Sequence, residues 1–188
     1  MNNLKAKHAF RWHCINVTLA ALALLLLAAI VPTEAYQGND NRAPDLGNCQ
    51  HLHVQTGDKV AFHVYAEGVQ IYRWNGTSWV FVAPEAMLFA DAGDNGEVGI
   101  HYAGPTWESV SGSKVVGTVS DRCTPDTEAI PWLLLQAVVS DGPGIFHRVT
   151  FVQRVNPVGG IAPTDPGFIG EVREVPYTAE YFFYRAHH

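Results

Sequence analysis

From about residue 50 onward apolar side chains recur at every second position, and no segment after residue 35 carries a stripe of helical period. Leu52, Val54, Val60, Phe62 and Val64 all sit at even positions around Thr56-Gly57-Asp58. Alternation of this kind marks strands with one buried face, and the Gly-Asp turn is expected to join two of them into a first hairpin. A second hairpin is expected where VQIYRW and TSWVFV flank Asn75-Gly76, the preferred pair for a two-residue type I′ turn. That turn would pair Trp74 with Thr77, Tyr72 with Trp79 and Gln70 with Phe81. One face then carries Tyr72, Trp74, Trp79 and Phe81, and the other Val69, Ile71, Val80 and Val82. Both faces are apolar, so the hairpin lies between two layers or has one face in a pocket.

Further short strands are expected at 86–89, 97–102, 107–111, 114–119, 132–139, 146–155 and 177–184, with Gly and Pro in the gaps DAGDNG, DGPG and NPVGG. The run IPWLLLQAVV is apolar at both parities, as a strand covered on both faces would be. Residues 159–172 read as a long surface loop. No internal repeat or linker divides residues 51–188, so the fold class is all-β: a single-domain antiparallel sandwich or small barrel.

The N-terminus is a different material. Lys5, Lys7 and Arg11 precede an uncharged apolar run at 15–31, followed by Pro32 and Thr33-Glu34-Ala35. This is the layout of a secretory signal helix cleaved after Ala35, making residues 1–35 a signal peptide and 36–50 a flexible arm. The competing reading is a membrane anchor, but the run falls short of the roughly 20 apolar residues a spanning helix needs and contains Asn16 and Thr18. The expected location is secreted or periplasmic, with membrane contact only through an uncleaved signal segment. Lys+Arg 12 against Asp+Glu 18 gives a net charge of −6, which argues against a nucleic-acid partner. In an exported chain Cys49 and Cys123 tend to pair; the other reading is two free thiols too far apart to bridge.

Three groups of residues carry candidate chemistry. A hairpin register with Gln55 opposite Lys59 puts His51 opposite His63, with His53 one step along the strand. Three imidazoles so placed can hold zinc or copper, whereas the plain reading is three polar residues facing solvent. No other cofactor is expected. GIHYAGPTWE brings together His101, Tyr102, Trp107 and Glu108, and a Glu beside a Trp can have its pKa raised for acid catalysis. The plain reading makes Tyr102 and Trp107 core and Glu108 a surface charge. Exposed Tyr72 and Trp79 could stack on sugar rings, which points to a carbohydrate or cell-envelope component as partner. The sequence lacks G-x-G-x-x-G, G-x-S-x-G, H-E-x-x-H and C-x-x-C. The leading expectation is a non-enzymatic binding or envelope-associated module using Tyr72, Trp79, His101, Tyr102, Trp107 and Glu108. The alternative is a small hydrolase or metal-dependent enzyme built on His101 and Glu108 or on the three histidines.

GVQIYRW, FVAPEAMLF, GIHYAGPTWE, SGSKVVG, IPWLLLQA, VTFVQRVNPVGGIAP and VPYTAEYFFY, in this order, resemble the exported family catalogued as domain-of-unknown-function 3455, over about residues 58–185. The resemblance implies an exported all-β protein and carries over no activity or ligand. It also implies a cysteine at the position of Trp74 and another in the loop after Ala162-Pro163. Both are absent here, in keeping with loss of a family disulfide as a pair, which leaves Cys49 and Cys123 as a substitute staple.

Overall fold

Among the described residues eight strands, each antiparallel to its neighbour in sequence, close into a barrel when the last pairs with the first. The structure is a computed structural model and describes residues 42–55 and 57–187. The strands are β1 (Asp58–Trp74), β2 (Trp79–Phe89), β3 (Glu97–Tyr102), β4 (Thr106–Ser109), β5 (Lys114–Cys123), β6 (Trp132–Asp141), β7 (Val149–Gly159) and β8 (Val172–Ala186). The closed up-and-down order decides between sandwich and barrel, and it leaves no free sheet edge. The expected signal segment at 1–35 and residues 36–41 of the expected arm lie outside the described residues. Among the described residues no helix is long and apolar enough to cross a membrane.

The expected first hairpin does not form. Gln50–Leu52 is a single 3-10 turn, and β1 starts at Asp58 opposite Ala186 of β8. The even-position pattern around residue 60 has a different cause. The β1–β8 register shifts between Val60 and Phe62, so these two residues face opposite sides of the wall despite equal parity. Val60 joins an outer cluster and Phe62 packs against the barrel interior.

The Asn75-Gly76 hairpin forms with another register. Trp74 pairs with Trp79 and Tyr72 with Phe81 across a four-residue loop, not a two-residue one. The Asn75 side-chain oxygen accepts the backbone N–H groups of Thr77 and Ser78, each at 2.9 Å. This side-chain turn replaces the type I′ turn, which would need positive φ at Asn75 as well as at Gly76. A slip of two keeps every side chain on its face, so Tyr72, Trp74, Trp79 and Phe81 still share one side. A close approach fixes Gly68 on the same strand: a Cβ there would sit 2.1 Å from the Glu85 carbonyl oxygen.

The interior is filled at one end only. Phe62 stacks on Phe183 at 4.6 Å, Phe146 tilts against Phe183 at 5.0 Å, and Leu88 and Val115 complete an apolar plug. That end carries loops 90–96, 110–113 and 142–148. The opposite end carries loops 75–78, 103–105, 124–131 and 160–171 and is hollow beneath them.

The outer face of β6 to β8 is also apolar, and the chain covers it with its own N-terminal part. The segment expected as a flexible arm is packed over its described portion. Leu46, Cys49, Leu52 and Val54 lie on Val60, Leu134, Val155, Phe182 and Tyr184. Full burial of a Leu or Val side chain contributes about 1.5–3 kcal/mol each, which is why these positions do not stay in solvent. Gln153, buried under the strap, donates from Nε2 to the Leu52 carbonyl at 2.6 Å and accepts from the Tyr184 hydroxyl. Cys49 and Cys123 are bonded, with Cα atoms 5.8 Å apart across 74 positions of sequence.

Opening so long a loop has a predictable cost. Replacing Cys49 and Cys123 together by Ala should lower unfolding stability by about 4 kcal/mol in the chain-entropy account. Urea unfolding of the wild type with and without reductant measures the same difference. Equal midpoints in the two conditions would show that the strap is held by packing alone.

Candidate functional site

The hollow end of the barrel encloses a cavity of about 340 Å³. An eight-stranded barrel is just wide enough to be filled by side chains or to hold one small ligand. Here the plug fills one half, and the other is walled by Tyr72, Phe81, His101, Trp107, Leu133, Leu135 and Tyr181. Strand alternation explains the selection. His101 pairs with Trp107 across β3 and β4, and both point inward, so Tyr102 and Glu108 must point out.

His101 stacks on Trp107 at 4.5 Å and is 3% exposed. Its Nδ1 donates to the Thr106 carbonyl at 2.9 Å, which leaves Nε2 as an acceptor. Burial pushes its pKa down to about 3, with the Arg154 charge adding to the shift and the Thr106 bond opposing it. The imidazole is therefore neutral at physiological pH. Tyr72 donates its hydroxyl to the Gly160 carbonyl at 2.7 Å, and burial raises its pKa. Gly160 sits at φ +76°, and a Cβ there would come within 2.9 Å of Tyr177, so only glycine brings that carbonyl in.

The polar groups around the cavity are unusual in what they lack. Gln70 Nε2, Trp107 Nε1, and the Tyr177 and Tyr181 hydroxyls are buried without a hydrogen-bond partner. Burial raises the Tyr177 pKa, with the adjacent Tyr181 adding to the shift and Arg154 and Gln70 opposing it, so Tyr177, Tyr181 and Gln70 lie next to one another although none of their contacts has hydrogen-bond geometry. Gln70, Trp107 and Tyr181 line the void itself, and a buried donor without a partner costs about 1–3 kcal/mol, so three around one void is a large concession of stability. Arg154, on β7 between Leu133 and Tyr181, is buried beside them with 8% exposure. Its Nε and Nη2 donate to the Pro131 carbonyl at 3.1 and 2.8 Å.

The other predicted residues fall elsewhere. Tyr102 donates to Glu108 Oε2 at 2.7 Å on the outer face, and Lys114 approaches the same oxygen at 3.2 Å. Those two contacts lower the Glu108 pKa, the reverse of the raised value expected of an acid catalyst. His101 and Glu108 thus lie on opposite sides of the wall and share no cavity. Trp79 is buried outside the cavity. It donates to the Asp165 carbonyl at 2.8 Å, beneath the Arg173 guanidinium at 4.8 Å, and anchors loop 160–171. Tyr72, Trp79 and Trp107 are all buried, so they form no flat aromatic platform facing solvent. Trp74, where the family resemblance implies a cysteine, meets this same loop through backbone bonds to Gly170 and Glu171.

The three histidines are not brought together. His51 lies on the 3-10 turn and donates to the Arg122 carbonyl at 3.1 Å, and His53 follows that turn. His63 is on β1, stacked on Phe182 at 4.1 Å with Nε2 2.9 Å from Glu180. The register that joined them required the hairpin that β8 displaces. Among the described residues no group of three or more His, Cys, Asp or Glu is placed to hold a metal ion. Sequence reasoning passed over Gln70, Arg154, Tyr177 and Tyr181. The available signal was Arg154 itself, the one charged residue of β7.

The buried imidazole makes stability depend on pH. Its folded pKa lies below the ordinary 6.5, so acid protonates the unfolded chain first. The stability it supports is complete above about pH 6.5 and is lost as pH falls, by about 1.4 kcal/mol per unit. His63, lowered by burial despite Glu180, acts in the same direction. Between pH 7 and 5 the wild type should lose at least about 1 kcal/mol more than His101→Gln in urea unfolding, and equal losses would contradict a buried neutral imidazole.

No curated protein and no solved structure matches the chain. The family model described as "Protein of unknown function (DUF3455)" matches residues 55–185, which run from the strap's end through β8. The chain belongs to that family.

Proposed function

We propose that this protein is an exported binding module that takes up one small organic molecule inside its barrel without transforming it. One observation carries the reading: buried hydrogen-bonding groups are left without partners around a single cavity that opens among the loops of one barrel end. A cavity of about 340 Å³ falls in the lower part of the range for small-molecule sites, about 300–1,000 Å³. The occupant is therefore a compact molecule and not a polymer such as an envelope polysaccharide. A catalytic reading finds less support. The only cavity-lining imidazole is committed to Thr106 through Nδ1, and the carboxylate expected to act with it, Glu108, is spent on Tyr102 and Lys114 outside. Export is supported by the N-terminal basic and apolar layout and by a disulfide that suits an oxidising compartment.

The test uses N-phenyl-1-naphthylamine, a neutral apolar fluorophore. Its emission should rise and saturate at one molecule per chain. Leu133→Trp, which fills the cavity from its wall, should abolish the signal while circular dichroism keeps the β spectrum. If the wild type gives no saturable binding, or the filled variant binds as well, the interior is not a binding site.

A further inference from the structure

The geometry points to a small organic carboxylate as the occupant of the barrel cavity, with its anionic head on the Arg154 guanidinium and its apolar body against the aromatic wall. This rests on the binding reading above and names the ligand's chemistry.

The argument begins with what Arg154 lacks. A guanidinium has five N–H donors, and this one spends two of them on a single neutral carbonyl, Pro131. Among the described residues no carboxylate is ion-paired with it; the four pairs there engage His63, Lys114 and, twice, Arg173. A cation more than nine-tenths buried is ordinarily matched by an anion, because desolvation of the charge is otherwise uncompensated. The chain has acids to spare, 18 against 12 basic residues, yet none lines the cavity. Its two charged lining residues are Arg154 and, at the rim, Arg122.

The orphaned groups say the same in another way. Trp107 Nε1 can only donate, and the Tyr181 hydroxyl and Gln70 amide nitrogen can donate as well. Unspent donors beside a fixed cation ask for a ligand rich in acceptors, with His101 Nε2 an acceptor in the same wall. A carboxylate is planar and accepts a fork of two parallel N–H bonds, the geometry a guanidinium offers. The remaining wall is rings and aliphatic carbons, which rules the bare inorganic anion out as the best fit: it would leave the void's apolar half empty. The field of Arg154 already reaches the site's neighbours, since it helps keep His101 neutral and favours ionisation at Tyr72.

Isothermal titration of the full mature chain with 2-naphthoate and with 2-naphthamide, its neutral counterpart of nearly equal shape, tests the inference. The acid should bind at least about tenfold more tightly than the amide. Arg154→Met should erase that preference by weakening the acid alone, leaving the amide within about twofold. If that variant does not fold, the wild-type comparison still decides. The Arg154 side-chain N–H signals should also shift on adding acid and stay in place on adding amide. Equal affinities, or tighter binding of the amide, while N-phenyl-1-naphthylamine still binds, would overturn the carboxylate and leave the binding reading standing. Failure of all three molecules to bind would overturn both.

Discussion

Everything in this barrel depends on the seam between β1 and β8. Strand β1 runs continuously from Asp58 to Trp74 and is hydrogen-bonded along almost its whole length to β8 on one side and to β2 over its second half on the other. Without that seam the sheet would present two long open edges, and its inward rings would face water. Closure also sets the size of the interior. With eight strands the lumen can be filled or can hold one small guest, and the chain does one at each end. The register shift between Val60 and Phe62 matters here, because it lets one strand serve both layers. Val60 meets the N-terminal strap outside while Phe62 closes the apolar plug inside.

The two halves of the lumen obey opposite rules. Around Phe62, Phe146 and Phe183 the rings are in mutual contact and fill the space, with Ser113 and Arg185 as the polar neighbours at that end. Around Arg154, Gln70, Trp107 and Tyr181 donors go unpaired and space is left empty. A chain that can pack one end so completely had apolar residues to pack the other. Local departures from good packing and full hydrogen bonding concentrate where a protein does something besides fold. The contrast within one lumen is what gives the cavity its meaning.

The sequence made the strands visible because alternation is local, and Leu133, Leu134 and Leu135, apolar at both parities, announced the double covering of the first half of β6, whereas Val138 and Val139 farther along the same run are exposed. The β1–β8 seam was not visible. Its partners come from opposite ends of the domain, and the turn at Gly57-Asp58 offered a nearer but wrong partner for the first strand. Asn75-Gly76 misled for a chemical reason, since an Asn side chain can close a wider loop by itself. The grouping of His101, Tyr102, Trp107 and Glu108 was separable from the start. Neighbours along a strand face opposite ways, so His101 and Trp107 could never share a side with Tyr102 and Glu108. The orphaned donors, by contrast, exist only once the barrel has closed.

The covalent staple and the buried cation turn out to meet in one loop. Cys123 ends β5 and opens the stretch 124–131, whose last residue, Pro131, holds Arg154 through its carbonyl oxygen. Arg122 accepts from His51 of the strap on one side of that cysteine, and Ile130 is tied to Gly159 of β7 at the loop's far end. The loop is thus pinned at both ends, by the disulfide and by a backbone bond. A guanidinium fork recognises a planar anion only if its own plane is fixed, because a freely turning fork loses the gain of two parallel bonds. The strap then has a role beyond covering the outer face of β6 to β8. Through Cys49 it steadies the loop that aims the one buried cation of the cavity.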